Sequence, residues 1–482
     1  MPENEKITYT ICLECKGLGK KIRKFKKKVQ YHPKPELNRN KKPEEEDRTP
    51  VRKNLHLYEC PNCGGSGLVP SAEHPLADQE NFPHVAIIGG GIGGIALAVA
   101  CLHRGIPFTL YERDTNFNTR SQGYGLTLQQ ASNAIKALGL FHLKEGVHST
   151  RHVVHTSEGK IIGEWGHRRR INLVPKKVPK RTNIHIARQS LRLAMLEQLG
   201  EQDKVMWGHQ LIGLKDSAHN GVDLTFQVNG EIKTINADLV VGADGVRSAV
   251  RKLLIGDDRS PLHFLGCIVI LGICPLTALN GLENSLLDSA TVFQTSNGND
   301  RIYIMPYTKD KVMWQLSFPM SEKEAMTLSE QGARTLKEEA CRRTQWHEPV
   351  PHIVAATAEE LISGYPVYDR ELLKPELMAE FGNVTLLGDA AHPMSPFKGQ
   401  GANQALLDAL SLARGITKGC RPLSQWKEIG IRKAVLKEFE LEMLERCAIK
   451  VKGSAEAVRH LHSESVLYER DGPRGKGLKG KE

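Results

Sequence analysis

The fold of this chain is decided by one short stretch, Val85-Ala86-Ile87-Ile88-Gly89-Gly90-Gly91-Ile92-Gly93-Gly94. Four apolar residues, typical of a buried strand, lead into a glycine-rich turn, and a helical run of small residues follows at 95–103. Gly89 allows the tight turn, Gly91 lets a pyrophosphate approach the backbone, and Gly94 lets the helix pack closely on the strand. The order of strand, turn and helix therefore predicts a dinucleotide-binding unit.

An acidic residue follows the next predicted strand at the spacing that such a unit requires. The strand at 107–111 leads to Glu112, which lies 23 residues after Gly89, close to the expected value of about 20. Its carboxylate is suited to accept hydrogen bonds from ribose hydroxyls and would repel a 2′-phosphate. At this point the site fits either NAD or FAD.

Two later features distinguish between these cofactors. A strand beginning at residue 383 ends in Asp389, a carboxylate that can accept hydrogen bonds from a polyol chain. A helix then starts at the turn Gly399-Gln400-Gly401-Ala402-Asn403. Its free N–H groups would face the N1/O2 edge of a flavin and stabilise negative charge in the reduced ring. A dehydrogenase has no use for this arrangement, so the sequence favours FAD.

The composition is that of a folded protein with several domains. The chain has 482 residues, 40% hydrophobic and 25% charged, and the length suggests about three units. Its longest apolar stretch, 85–100, is shorter than the roughly 18 residues that a membrane span needs, so no span is expected. The first residues lack a secretion signal, which predicts a cytoplasmic location with a nuclear one left open. The formal charge of +11 suits anionic partners.

Four of the ten cysteines lie in two copies of the pattern CxxCxGxG, at 12–19 and 60–67. Four thiolates suit tetrahedral zinc, and the glycines free the backbone to wrap the metal. The sequence therefore predicts a zinc site at Cys12, Cys15, Cys60 and Cys63, with a redox dithiol pair as the alternative. The repeats resemble the DnaJ-type cysteine-rich zinc module, although this chain has two repeats rather than four and room for one site.

A basic segment lies between the two cysteine pairs. Residues 20–28 carry seven positive charges and no acid. The favoured interpretation is a solvated loop, and the alternative is a contact with a protein or an anionic partner such as RNA or acidic lipid.

The remainder of the chain resembles the FAD-dependent aromatic hydroxylases. This single-component flavoprotein monooxygenase group includes p-hydroxybenzoate and salicylate hydroxylases and the tetracycline-inactivating monooxygenases. Three signatures occur in the family's order, namely GxGxxG at 89–94, an Asp-Gly segment at 237–248 and a Gly-Asp segment that begins at 383. The likeness runs from residue 83 to the end of the long C-terminal helix.

The resemblance assigns cofactor-binding roles to particular residues. It implies that Glu112 holds the adenosine ribose, that Asp389 holds the ribityl chain, and that the segment with Asp244 and Gly245 serves FAD and nicotinamide together. An arginine that opens a helix against the flavin matches Arg188. An arginine placed near the isoalloxazine or the reduced nicotinamide matches Arg120.

The resemblance also implies an activity. NAD(P)H reduces the flavin, O2 forms a C4a-hydroperoxide, and its terminal oxygen passes to a small aromatic or polycyclic substrate. No catalytic side chain is identified. His392 is interpreted as a structural histidine. Four residues of the predicted substrate sheet are interpreted as packing residues rather than as contacts with the substrate, namely Tyr303, Tyr307, Trp314 and Gln315. The alternatives are an FAD-dependent reductase of the same fold and a zinc-module binding protein with an inactive flavin domain.

The predicted fold class is α/β. A Rossmann-like FAD-binding domain contains an inserted, mainly antiparallel β-sheet substrate domain. A small zinc-binding module precedes the FAD-binding domain, and a long C-terminal helix follows it. The hairpin at 152–165 contributes to the substrate side. The predicted boundaries are a zinc module at 1–68, a linker at 69–82, the two parts of the FAD-binding domain at 83–262 and 373–420, the substrate domain at 263–372, the C-terminal helix at 421–466 and a disordered tail at 467–482.

Overall fold

The structure is a computed structural model that describes residues 7–22, 57–119, 123–166, 183–200, 204–217, 221–422 and 424–475. Within these ranges, none of the helices is both long enough and apolar enough to cross a bilayer. Two of the sequence predictions, the contact of Arg120 and most of the basic segment, at 23–28, lie outside the described residues.

Strands and helices alternate along the chain, and their bounds follow in chain order. The first part contains β1 (Thr8–Ile11), β2 (Lys20–Ile22), β3 (Leu57–Glu59), β4 (Leu68–Ser71), β5 (Val85–Ile88), α1 (Ile92–Leu102), β6 (Phe108–Tyr111), β7 (Gly125–Leu128), α2 (Ser132–Lys136), β8 (Val147–His148), β9 (Arg151–Thr156), β10 (Ile161–Gly166), β11 (Ile184–Ala187), α3 (Arg188–Leu196), β12 (Val205–Met206), β13 (Gln210–Ser217), β14 (Gly221–Val228), β15 (Glu231–Ala237), β16 (Leu239–Gly242) and α4 (Ala249–Ile255). The second part contains β17 (His263–Pro275), β18 (Thr291–Ser296), β19 (Arg301–Pro306), β20 (Lys311–Pro319), α5 (Glu322–Glu330), α6 (Ala333–Arg343), α7 (Val350–Ala356), β21 (Ile362–Asp369), α8 (Pro375–Ala379), β22 (Val384–Leu386), α9 (Gly401–Gly419), α10 (Trp426–Ile429) and α11 (Lys437–Leu461).

A five-stranded parallel sheet, in the order β12-β6-β5-β16-β22, forms the centre of the nucleotide-binding part. Every residue of β5 and β16 is buried, as expected for parallel strands covered on both faces. Helix α1 leaves β5 through the glycine turn and is buried along its whole length. This arrangement confirms the Rossmann-like unit predicted from the motif.

A seven-stranded sheet, in the order β10-β9-β18-β19-β20-β17-β21, forms the second part. Its pairs are antiparallel apart from β9 with β18, so the predicted mainly antiparallel sheet is confirmed. The strands β9 and β10 are the hairpin that precedes this part in sequence. One face of the sheet packs on α5, α6 and α7, and the opposite face is turned toward the nucleotide-binding part.

Helix α11 connects the two hydrophobic cores. A π-helical turn, Arg432–Leu436, runs directly into it. Near its start, Phe439 and Met443 are buried in the core of the parallel sheet. Near its end, Val458 packs on the inner face of the seven-stranded sheet. The helix therefore fixes the second sheet against the cofactor-binding part.

Part of the predicted disordered tail, residues 467–475, makes specific contacts with the second sheet. Arg474 is 3% exposed and donates from Nη2 to the carbonyl of Ile162 at 2.8 Å. The Asp471 carboxylate accepts from the backbone N–H of Glu164 at 3.0 Å. These contacts satisfy backbone groups of the edge strand β10, which a reading of composition cannot reveal.

The N-terminal module is made of two small antiparallel pairs, β1 with β4 and β2 with β3. The four predicted metal-binding cysteines lie in the turns that join these strands. They are the core of the module, since three of them are fully or almost fully buried.

Candidate cofactor site

A cleft opens at the carboxyl ends of β5, β16 and β22, where the crevice of an open parallel sheet binds its ligand. It brings together residues that lie 300 positions apart in the sequence. The predicted site residues that line it are Gly89, Gly91, Glu112, Arg188, Asp244, Gly245, Asp389, Gly401 and Ala402.

Three glycines of the turn after β5 have different physical roles. Gly89 has a φ of +107°, and a Cβ there would lie 2.7 Å from the Cα of Asp244. A Cβ on Gly94 would lie 1.9 Å from the carbonyl oxygen of Gly89, so this glycine permits the contact between helix and turn. A Cβ on Gly91 would meet its nearest atom, on Arg188, at 3.7 Å. The space in front of Gly91 is therefore available to a ligand.

Helix α1 begins at this turn without a side-chain cap. The N–H groups of its first turn lack intrahelical acceptors, and they lie at the positive end of the helix dipole. A phosphate group is the ligand that such a helix end favours.

Backbone donors hold the Glu112 carboxylate at the cleft. One carboxylate oxygen accepts from the N–H of Gly90 at 2.6 Å, and the other accepts from the N–H of Asp114 at 2.9 Å. A carboxylate offers about four acceptor positions, so these bonds leave capacity for two hydroxyl groups. This geometry fits a vicinal diol such as that of ribose.

Asp244 has a structural role in addition to lining the cleft. Its carboxylate accepts from the N–H groups of Ala249 at 2.7 Å and Val250 at 3.1 Å, and from the Ser248 hydroxyl at 2.5 Å. Burial raises the pKa of Asp244 above its usual range. The side chain thus holds the start of α4, and the neighbouring Gly245, with a φ of +84°, turns the chain along the cleft.

Asp389 and the start of α9 form the far end of the cleft. Asp389 is half-buried, and burial raises its pKa, while the nearby charges of His392 and Arg188 act in the opposite direction. Helix α9 is 19 residues long and has no side-chain cap at its start. Since Gly401 and Ala402 line the cleft, the positive end of this helix dipole points at the bound group.

Two predicted contacts at this helix do not line the cleft. The Asn403 side chain accepts from the N–H groups of Gln129 and Ala131 at 2.9 and 3.1 Å, and it donates to the carbonyl of Thr127 at 2.8 Å. It therefore fastens the end of β7 to α9. Gly399, with a φ of +57°, provides the turn before the helix.

Arg188 lies at the start of α3, where its backbone N–H donates to the carbonyl of Tyr124 at 3.1 Å. Its guanidinium lines the cleft opposite the glycine turn. The cationic side chain therefore lies between the expected phosphate position and Asp389.

The sequence did not single out Arg251, which supports the far end of the cleft from behind. It is 2% exposed and donates from Nη1 to the carbonyls of Ala390 and Ala391, both at 3.0 Å. Its Nε donates to the Ser260 hydroxyl at 3.0 Å. No spacing pattern identifies such a residue, because the two carbonyls that it supports are 139 and 140 positions away in sequence.

A second support that the sequence missed is the buried carboxylate of Asp408. It accepts from the Gly388 N–H at 2.9 Å, from His392 Nε2 at 2.7 Å and from Arg446 Nη2 at 2.8 Å. Burial opposes charge on His392, but the Asp408 carboxylate outweighs it and raises the pKa of His392 to about 10. His392 is thus held against Asp408 behind the cleft, and its interpretation as a structural histidine stays a prediction.

Comparison with known proteins identifies the family. Residues 83–421 match the family model described as an FAD binding domain. The chain is also similar to the aurachin C monooxygenase/isomerase of Stigmatella aurantiaca, with 30% identity over 331 residues that cover 68% of this chain and 79% of that protein. The chain belongs to the FAD-dependent monooxygenases of the aromatic hydroxylase type.

Another relative matches a similar share of the chain. The 3-amino-4-hydroxybenzoate 2-monooxygenase PtmB3 of Streptomyces platensis is 28% identical over 340 residues, which cover 70% of this chain and 80% of that one. Among solved structures, Klebsiella pneumoniae HpxO complexed with FAD and uric acid superposes with a TM-score of 0.64. It shares 21% identity and covers 80% of this chain and 90% of that chain, which supports the fold.

The monooxygenase presents a row of polar side chains on the inner face of its seven-stranded sheet. In the strand register, Tyr303 lies directly opposite Gln294 on one side and Gln315 on the other. Trp314 belongs to the other face, where its indole N–H donates to the Thr357 hydroxyl at 2.8 Å. The Tyr307 hydroxyl donates to the carbonyl of Gly123 at 3.0 Å, so it fastens a loop to the sheet.

Two buried nitrogen atoms at this inner face have no hydrogen-bond partner in the described part of the chain. They are Nε2 of Gln315 and Nε2 of His185. Burial, with the nearby His152 and His148, lowers the pKa of His185 to about 3, so its imidazole is neutral. Its Nδ1 lies 3.0 Å from the Thr127 hydroxyl on β7. An unpaired buried donor is costly, and a ligand group is one way to satisfy it.

The four cysteines of the N-terminal module meet the geometric requirements of a metal site. Their sulfur atoms all lie within 4.8 Å of one another, with Cys12 and Cys60 at 4.0 Å and Cys15 and Cys63 at 3.7 Å. Tetrahedral zinc with Zn–S bonds of about 2.3 Å places sulfurs about 3.8 Å apart. A disulfide needs about 2.05 Å, so these distances fit a metal.

The two cysteine turns are built alike. The N–H of Gly19 donates to the sulfur of Cys15, and the N–H of Gly67 donates to the sulfur of Cys63, both at 3.2 Å. Such bonds favour the thiolate form that a metal requires. The donor set and its surroundings therefore fit zinc.

Proposed function

We propose that this monooxygenase hydroxylates a small aromatic or polycyclic compound, with NAD(P)H as the reductant and O2 as the oxygen source. One atom of O2 forms the new hydroxyl of the substrate and the other leaves as water, while NAD(P)H supplies two electrons and is oxidised to NAD(P)+. The observation that carries this proposal is the convergence of Gly91, Asp389 and the start of α9 on one cleft beside the inner face of the second sheet.

Bound FAD would supply the redox chemistry and the activation of O2. The chain's own residues bind and orient it. Glu112 would hold the ribose of its adenosine, the start of α1 its pyrophosphate, and Asp389 its ribityl chain. The start of α9 and Arg188 would supply positive electrostatic potential beside the ring, which favours negative charge there.

The inner face of the second sheet supports the proposed position of the substrate. It combines apolar side chains, such as Leu271 and Met313, with the unpaired amide of Gln315. Ring-shaped apolar compounds that carry one or a few hydrogen-bonding groups fit such a surface. Closure of this face by α11 would exclude water from the reacting atoms.

The test uses purified protein reconstituted with FAD. Phenolic and heterocyclic compounds are screened for faster NADPH and NADH consumption, and product from an active compound is analysed by mass after reaction under ¹⁸O2. We expect a product that contains one labelled oxygen atom. Consumption of NAD(P)H with a reduced product and no label would indicate the reductase instead, and absence of bound flavin would favour the binding protein.

The prediction for Gln315 separates its contact with substrate from packing. In Gln315→Met the unpaired donor is replaced by an apolar group of similar length. We expect KM to rise about tenfold, which corresponds to the loss of one hydrogen bond of about 1.4 kcal/mol. FAD retention and the melting temperature should stay at wild-type values, because the Gln315 amide nitrogen has no hydrogen-bond partner among the described residues.

The matched control is Trp314→Phe, on the other face of the same strand. It removes the bond to Thr357 and should lower stability while KM stays unchanged. If Gln315→Met lowers stability without a change in KM, the residue packs the sheet and does not contact substrate.

We propose as well that the four-cysteine site holds one structural zinc ion. The matching sulfur distances and the paired N–H···S bonds support this assignment. All four positions of a tetrahedral ion are taken by protein ligands, which is typical of structural rather than catalytic zinc.

A further inference from the structure

One carbonyl group of the N-terminal module contacts arginines from both cofactor-binding helices. Gly17 lies two residues after Cys15, and its carbonyl oxygen accepts from Arg104 Nη2 at 3.5 Å and from Arg414 Nε at 3.2 Å. Arg104 lies two residues after the end of α1, and its Nη1 also donates to the carbonyl of Ala100 in that helix at 2.9 Å. Arg414 belongs to α9.

The charges at this contact are not balanced by the protein chain that the structure describes. Arg104 is 5% exposed, and Arg414 is half-buried. Among the described residues, no carboxylate lies within salt-bridge distance of either guanidinium. Two cations that converge on one carbonyl repel each other, and buried charges are otherwise paired or bound to a metal centre.

The neighbouring cysteines are suited to supply the missing negative charge. Four thiolates carry four negative charges, and a zinc ion neutralises two of them. A zinc-loaded site therefore has a net charge of −2, equal and opposite to that of the two arginines. Four neutral thiols, or two disulfides, would leave both guanidinium groups without a counter-ion.

We propose that Arg104 and Arg414 are the counter-ions of the zinc tetrathiolate, and that this pairing couples metal binding to the placement of the two helices that bind FAD. This inference rests on the proposed zinc site. The metal centre holds the C-terminal part of α9 and the end of α1, while the opposite ends of the same helices form the cofactor cleft.

Further contacts at the end of α1 support a fixed position for the module. The ring of Tyr9 in β1 lies 6.2 Å from that of His103 and 5.1 Å from that of Phe141. A Cβ on Gly139 would lie 3.1 Å from the Tyr9 ring, so the surfaces are in close contact. The module is therefore packed against the cofactor domain beside the proposed ion pairs.

The experiment measures zinc transfer to a chromogenic chelator and FAD retention in the full-length FAD-loaded protein. Wild-type protein should contain one zinc per chain. In Arg104→Met, zinc transfer should be about tenfold faster and FAD should dissociate faster as well. The matched control is Arg421→Met. Arg421 is an exposed arginine just beyond the end of α9, where it donates to the carbonyl of Lys418, and its replacement should leave zinc transfer and FAD retention at wild-type values.

Arg104→Met is then introduced into the Cys60→Ser variant, which should contain no zinc. Without the anionic zinc centre, the buried guanidinium of Arg104 has no counter-ion and lowers the stability of the protein. In the Cys60→Ser variant, Arg104→Met should therefore no longer weaken FAD retention. Arg414→Met and chelator-stripped wild-type protein repeat the comparison if either variant fails to fold.

The outcomes separate the two proposals. Wild-type protein without zinc would overturn the zinc site and this inference, while leaving the monooxygenase assignment untouched. Bound zinc with an unchanged transfer rate in Arg104→Met would overturn the counter-ion role. If Arg104→Met reduces FAD retention equally in wild-type and in Cys60→Ser protein, Arg104 acts through its carbonyl contacts alone and the counter-ion role is wrong.

Discussion

Gly91→Ala is expected to weaken FAD binding strongly while leaving the fold of the protein intact. The added Cβ meets no atom closer than 3.7 Å, so the protein without its cofactor accommodates it. The same Cβ occupies the space through which a pyrophosphate would approach the backbone. Steric overlap of this kind costs about 1–3 kcal/mol, which corresponds to binding weaker by roughly 5- to 150-fold. Flavin fluorescence after gel filtration measures the retained fraction.

Gly94→Ala is the matched control for this prediction. Its Cβ would lie 1.9 Å from the carbonyl oxygen of Gly89, so α1 has to move away from the turn. This variant should lose stability even without cofactor, which Gly91→Ala should not. If Gly91→Ala binds FAD as tightly as wild type, the phosphates do not pass this glycine and the proposed orientation of FAD is wrong.

Asp408→Asn is expected to destabilise the protein by about 3–5 kcal/mol, because it leaves the buried His392 without its carboxylate and the half-buried Arg446 with Glu442 alone. Asp408 bonds His392 and Arg446 and also accepts from the Gly388 N–H. Denaturant unfolding of the cofactor-free protein measures the loss. The matched variant is Asp389→Ala, which should lower FAD retention with little change in unfolding. Equal free energies of unfolding for Asp408→Asn and wild type would show that the buried pair of His392 and Asp408 does not stabilise the protein.

The pH dependence of the same pair follows from its shifted pKa values. The His392 pKa, raised from 6.5 to about 10, contributes stability that is full below pH 6.5 and is lost as the pH rises through 10. The Asp408 pKa is held below its ordinary 3.8 by His392 and Arg446 despite burial, so its contribution is present above pH 3.8 and is lost in stronger acid. The difference in unfolding free energy between wild type and Asp408→Asn should therefore be largest between about pH 4 and 6.5 and should shrink toward pH 10.

The case of Asn403 shows where sequence reasoning stops at a helix end. The motif predicted correctly that a helix begins there, and the two residues before Asn403 do line the cleft. Successive side chains of a helix are rotated by about 100°, so they cannot all face one ligand. Which of them faces the cleft depends on how α9 packs against β7, and the sequence of the helix alone does not contain that information.

The sequence by itself determined the local features of this protein. These features depend on residues adjacent in the chain, where backbone geometry links sequence directly to structure. They are the strand, glycine turn and helix that begin at residue 85, the acid at Glu112 and the paired cysteine turns. The tertiary structure decided what supports them. Arg251 lies behind the Asp389 loop, Asp408 beneath it, and Arg104 with Arg414 beside the cysteines. The partners named for them lie on other segments of the chain, between 20 and 397 positions away. Buried charges need partners in space rather than in sequence, so their roles emerge when the chain is folded.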